Sequence, residues 1–167
     1  QGYSSAASDV YKRQLQDNAR RLAVRKMHPE FFRRVNALKI GGKPHQAYGN
    51  FQLLECPFRE QVIVHRADSS ETRKRNRDQW LYTAANGGIL VSPFISREEK
   101  EIRKEAEEAG GRFILITNEP MADRYKPTGH DFQLCESGRL LIISANLPGA
   151  FSRHTCQSMN SLAQSLI

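Results

Sequence analysis

The chain has 167 residues, with 25 Lys/Arg against 18 Asp/Glu for a net charge of +7 and 39% hydrophobic residues; that suffices for one domain with a real core plus an appendage. No apolar run approaches the ~18 residues of a membrane-spanning helix, which sets the expectation of a cytoplasmic protein with no membrane partner. Cys56, Cys135 and Cys156 are odd in number, far apart and without zinc spacing, so reduced thiols, no metal centre and no cofactor are expected.

Charge is unevenly shared. Residues 1–77 carry 16 Lys/Arg against 7 Asp/Glu, a net +9, whereas residues 78–167 carry 9 against 11, a net −2. A basic half beside a slightly acidic one implies a polyanion-facing segment next to an ordinary folded domain. In chain order, residues 1–14 come first. Their stretch Ser5 to Gln14, SAASDVYKRQ, resembles translated adaptor sequence and is set aside as a non-native tail, with the natural start expected upstream.

Leu15 to Val35 reads as a basic helix, with Leu15, Leu22, Phe31 and Phe32 among Arg20, Arg21, Arg25, Lys26, Arg33 and Arg34. His28-Pro29 should split it into two helices, because the residue before proline is pushed out of the α region. Ala37–Ile40 and Lys43–Tyr48 flank Gly41-Gly42, the pattern of a hairpin with a primed turn. Residues 15–57 are thus expected to form a small basic helix–hairpin appendage.

Residues 58–167 alternate short apolar runs with amphipathic helices. Val62–His65, Ile89–Ser92, Phe113–Thr117 and Leu140–Ile143 predict an α/β domain with a Rossmann-like parallel sheet of about four strands and helices on both faces. Counting only these four, the expected strand order is 3-2-1 or a close variant, with the 140–143 strand on the far side. Asp68 with Glu71 and Ser96 with Glu99 are capping pairs for the first two helices. Glu99/Arg103, Arg103/Glu107 and Lys104/Glu108 are i,i+4 pairs on the wet face of the second. The last helix places Met159, Leu162, Ala163 and Leu166 on one face. No strand follows it, so truncation is expected at this end as well.

Parallel sheets take ligands at the carboxyl ends of their strands. His65 and Arg66, after the first strand, could grip a phosphate or a base. Ser92, Phe94 and Ser96 lie where the second strand gives way to a helix, and the backbone N–H groups there favour an anion. Arg124, Tyr125 and Lys126 follow the third strand and could stack on or pair with a nucleotide. Arg20, Arg21, Arg25, Arg73, Lys74, Arg75 and Arg77 form a basic patch, either a phosphate rail or a solvated surface. Each candidate also has a structural reading: Ser96 as a helix cap, His65 as a strand-end residue, Tyr125 packed under its loop. Glu119 and Asp123 are the acidic pair nearest these loops. Without a nucleophile or metal beside them, no catalytic residue is assigned.

The order of signals resembles the DNA-processing protein A (DprA/Smf) family, within the Rossmann-like SLOG group. The resemblance is carried by Val62-Ile63-Val64-His65-Arg66, Leu90-Val91-Ser92, Gly110-Gly111, Tyr125-Lys126-Pro127, Gly138 to Ser144, Pro148-Gly149 and Met159-Asn160. It covers roughly residues 61–167 and lies in spacing and strand grammar. The family's closing motif flanks an asparagine with two arginines; here a single Asn160 and a distant Arg153 stand in its place, and on the resemblance they are taken as further binding residues. The chain departs from the family where His65-Arg66 replaces a glycine loop and where Pro93 stands for glycine, which removes a backbone donor. Leu147-Pro148-Gly149-Ala150 is at most a degenerate echo of the P-G-G-x-G-T of lysine-decarboxylase-like members. Asp17-Asn18 with Arg20-Arg21-Leu22, Arg25 and Pro29 resembles the end of an HUH transposase of the REP-associated type. No His-x-His pair accompanies it among the five histidines.

These readings imply a non-catalytic nucleic-acid-binding module of a DNA-processing or transposase-associated protein, with single-stranded DNA as the favoured partner. A nucleotide-sensing or nucleotide-modifying SLOG domain and an interaction domain without a ligand are the alternatives. A homo-oligomer is compatible with either.

Overall fold

The computed structural model describes residues 2–167, with side chains from residue 5 onward. It is an α/β protein built on one six-stranded mixed sheet with five α-helices. None of those helices is long and apolar enough to cross a membrane.

Helix α1 (Gly2–Met27) opens the chain, and residues 5–20 of it are exposed. It stops at His28-Pro29, as the steric rule requires. No second helix forms there: a single 3-10 turn (Pro29–Phe31) leads directly into strand β1 (Arg33–Ile40). Gly41 and Gly42, with φ of +58° and +79°, turn the chain into β2 (Lys43–Gly49). Positive φ at both central residues is the primed-turn geometry that suits a twisted hairpin.

After a 3-10 segment at Phe51–Glu55 come β3 (Arg59–Gln61), α2 (Ser70–Ala85), β4 (Ile89–Ser92), α3 (Arg97–Glu108), β5 (Arg112–Thr117), α4 (Gly129–Glu136), β6 (Leu140–Ser144) and α5 (Arg153–Gln164). The sheet order is β1-β2-β6-β5-β4-β3. Strands β3 to β6 run parallel, and β2 pairs antiparallel with both β1 and β6.

Three expectations are corrected. The sheet has six strands rather than about four, because the hairpin continues it. All five residues of β6 are buried, and a strand that apolar needs both edges covered; β2 covers the edge that β5 leaves open. Secondly, β6 lies next to β5, not on the far side of the first parallel strand. Periodicity specifies that a strand is buried but not its neighbour. Thirdly, the first parallel strand spans Arg59–Gln61 instead of Val62–His65. Val62 makes one more ladder bond, N–H to Val91 O at 3.0 Å. Two residues later the Val64 N–H donates to the Glu99 carboxylate at 2.9 Å, which draws the chain out of the sheet.

Because the parallel strands advance one way from β3 to β6, right-handed crossovers put α2, α3 and α4 on one face. Trp80, Ile102 and Leu134 from those helices share a core with Val62, Leu90, Phe113 and Ile142. On the other face, Met159 and Ala163 of α5 share a second core with Leu53, Val91, Ile114 and Ile143. Helices therefore cover both faces, as the sequence predicts. Ala47 joins one core and Tyr48 the other, so the hairpin is built into both layers.

Candidate nucleic-acid interface

The carboxyl ends of β4 and β6 use the same device. The Ser92 hydroxyl accepts the Phe94 N–H, and the Ser144 hydroxyl accepts the Asn146 N–H, each at 3.0 Å. Phe94 and Asn146 are also the non-glycine residues with positive φ, +48° and +53°. A bulky residue is strained there. The Phe94 ring is buried edge-on to Phe113, with centroids 5.9 Å apart.

The start of α3 is occupied from within. Glu99 is 3% exposed, and its carboxylate accepts the N–H groups of Ile95 and Ser96, each at 3.0 Å, besides that of Val64. The Ser96 hydroxyl accepts the Glu99 N–H in return, completing the capping box. The N–H groups expected to attract an anion thus already hold one, and it is the chain's own. Glu99 accordingly turns inward and does not pair with Arg103 on the wet face. Arg103 instead binds Glu107 at 2.8 Å and Asp131 at 3.0 Å. Helix α2 is capped by Ser69, not Asp68; the Asp68 carboxylate accepts the His65 N–H at 3.1 Å.

Between β5 and β6, where helices leave for opposite faces, the crevice is sealed. Ala145 N–H donates to Thr117 O at 2.8 Å and Leu147 N–H to Asn118 O at 2.6 Å. His45 Nδ1–H donates to Ser144 O at 2.9 Å. The β5–α4 loop is drawn toward the hairpin, where the Arg34 guanidinium donates to the carbonyls of Ala122 and Asp123 and Gln46 binds Met121. Tyr125 packs edge-on against Tyr48, and burial pushes its hydroxyl up to about 12. Arg124 and Lys126 are exposed.

The open concavity lies elsewhere on this edge, between the β3–α2 loop and α5. A groove of about 710 Å³ is lined by His65, Arg66, Ser96, Arg153 and Asn160 together with Glu99. Five sequence-selected residues meet there; Ser92, Phe94, Arg124, Tyr125 and Lys126 do not line it. Arg73 fixes the loop that carries His65 and Arg66 by donating to both of their carbonyls, at 3.2 and 3.1 Å, while its other end pairs with Glu98 at 2.6 Å. Asn160 donates its amide N–H to Cys156 O at 3.0 Å, leaving its side-chain oxygen buried without a partner.

A second groove of about 590 Å³ flanks the other side of α5 and includes Lys43, His45 and His154. Gln157 and Ser161 line both grooves. Sequence reasoning missed Lys43, His45 and His154 as site residues. Their signal is the alternation that puts residues 43 and 45 on one strand face, combined with segments 31–54 and 145–167 lacking any Asp or Glu. On the opposite face, α3 carries five carboxylates besides the buried Glu99.

Much of the expected basic patch serves packing. Arg20 pairs with Glu136 of α4 at 3.1 Å. Arg21 and Arg25 sit over the Phe132 ring, 5.6 and 5.3 Å from its centroid. Arg77 is paired with Glu105. Lys74 and Arg75 are exposed and enter no ion pair among the described residues. Comparison of the chain with protein-family models, with curated proteins and with solved structures returned no match.

Proposed function

We propose that this chain is a nucleic-acid-binding module that holds a single strand, with DNA as the favoured form, along the α5 face of its sheet, and that it does so without catalysis. The observation that carries this reading is the pair of adjoining grooves, in which Arg66, His65 and Arg153 face one side of α5 and Lys43, His45 and His154 the other. The only carboxylate lining either groove is Glu99, and its charge is already engaged by three backbone N–H groups. Guanidinium and ammonium groups on a surface free of opposing carboxylates favour phosphate. The parallel strand block with helices on both faces is in keeping with a Rossmann-like, DprA- or SLOG-type domain, and a transposase-associated context remains part of the proposal.

A second reading draws on Asn160. Its unpartnered buried oxygen in a groove of about 710 Å³ suits a donor such as the exocyclic amine of a base, so a mononucleotide is the rival ligand. Fluorescence anisotropy with a labelled oligonucleotide across a salt series decides between them. Arg66→Ala and Arg153→Ala should each cost about 1.5–3 kcal/mol and lower the salt slope by about 0.7 for each single-strand phosphate no longer neutralised. Absence of oligonucleotide affinity at low ionic strength, with saturable binding of a mononucleotide, would replace the first reading by the second.

A further inference from the structure

Outside α1, two exposed aromatic rings lie together at the amino end of the parallel strands. Phe58 is 73% exposed and Tyr82 66% exposed, and both line a groove of about 430 Å³ beside the start of β3. Their backbones are fixed although their rings are bare. Phe58 O accepts the Ile89 N–H at 2.8 Å, and Tyr82 O accepts the Asn86 side-chain amide at 2.8 Å. Aromatic rings offered to solvent on rigid elements are ready to stack, because little freedom is lost on binding. Tyr82 also lines the adjoining groove on α2 with Lys74 and Arg75. Arg75 and Tyr82 are two helical turns apart, about 10 Å along the axis, and so share one side of α2. Glu60, the carboxylate lining the groove with the rings, is engaged by Thr83 and Gln79. Glu71 and Asp78 share the α2 surface with the two cations, which leaves stacking the larger contribution.

We propose that Phe58 and Tyr82 form a stacking platform for unpaired bases, with Lys74 and Arg75 meeting the phosphates beside it. This platform is separate from the α5 grooves, and it rests on the nucleic-acid reading given above. Base–aromatic stacking is tolerant of sequence and corresponds to about 5- to 150-fold in affinity per base, with little dependence on salt.

The test compares a labelled thymidine oligonucleotide with an abasic strand of the same length, at one ionic strength, by fluorescence anisotropy. The intact chain should prefer the thymidine strand by at least about tenfold, given two rings. The double variant Phe58→Leu/Tyr82→Leu should lose that preference while keeping its affinity for the abasic strand, and Tyr82→Phe should retain it. Equal binding of both strands by the intact chain, or equal loss of both in the double variant, overturns the platform and leaves the α5 reading standing. If the intact chain binds neither strand at low salt, the nucleic-acid reading itself fails and the platform with it.

Discussion

Replacing Glu99 by alanine should be the most costly single change near the groove, and the reason is local. The carboxylate is buried and accepts three backbone N–H groups, from Val64 at 2.9 Å and from Ile95 and Ser96 at 3.0 Å each. A hydrogen bond to a charged group contributes about 1.5–3 kcal/mol, and a buried donor left alone costs about 1–3 kcal/mol. Two of the donors share one oxygen, and the first turn of α3 can partly rehydrate, so the three do not add. Roughly 3–5 kcal/mol is expected for Glu99→Ala. At ~2–4 °C per kcal/mol for a chain of this size, Tm should fall by roughly 6–20 °C. Glu99→Gln keeps one oxygen but turns an amide N–H toward the Val64 donor, and should lose about half as much. The assay is thermal unfolding by circular dichroism, repeated with inorganic phosphate. An anion that fills the vacated position binds the folded variant and stabilises it by mass action. Phosphate should therefore raise the Tm of Glu99→Ala more than that of the parent. A variant melting within ~2 °C of the parent, or equal phosphate effects on both, would refute the argument.

Gly49 joins the hairpin to the sheet at φ +132°, and a Cβ there would lie 2.3 Å from Leu140 O; Gly49→Ala should cost about 2–5 kcal/mol in denaturant unfolding. The Cys135 thiol is buried and pushed up to about 12 by that burial, whereas Cys56 and Cys156 are partly exposed. A thiol reagent should thus titrate two cysteines in the native protein and the third only on unfolding. The His130 ring is raised above its usual value, first by its hydrogen bond to Glu107 and then by that group's charge, with desolvation and, more weakly, Arg103 opposing. Its stabilising contribution is complete below the unfolded value of about 6.5 and is lost as pH rises through the raised folded value. Tm against pH should show this component in the parent and not in His130→Asn; identical profiles would refute it.

The elements that were legible in the sequence are those whose cause is local. Ser96-x-x-Glu99 announces α3, the Gly41-Gly42 pair announces the hairpin, and the apolar runs at β4, β5 and β6 fall where expected. Sheet order was not legible, because pairing β6 with β5 and β2 is a long-range choice that leaves no period in the sequence. The extra helix after Pro29 failed for a related reason: Arg33 and Arg34 suit a helix, but their pairing with Gly49 and Tyr48 makes them strand. At the site, His65 and Arg66 were placed by a strand end, and Arg153 and Asn160 by the resemblance. Glu99 read as a cap and a wet-face partner, since nothing in Ser96-x-x-Glu99 says that the preceding β3–α2 loop will lend Val64 to the same carboxylate. Lys43 and His45 are brought beside α5, and so beside its own His154, only by the antiparallel join of β2 to β6.

The absence of carboxylates from the segments around α5 has a kinetic consequence. The cations Lys43 and Arg153 at α5 lie in segments 31–54 and 145–167, which hold no Asp or Glu, so the positive field over that face is locally unopposed. An approaching polyanion is drawn toward that field before any contact is made, within the ~10 Å reach of electrostatics at 0.1 M salt. On the nucleic-acid reading proposed above, encounter at the α5 face is favoured during diffusion, so added salt should slow capture much more than it hastens release.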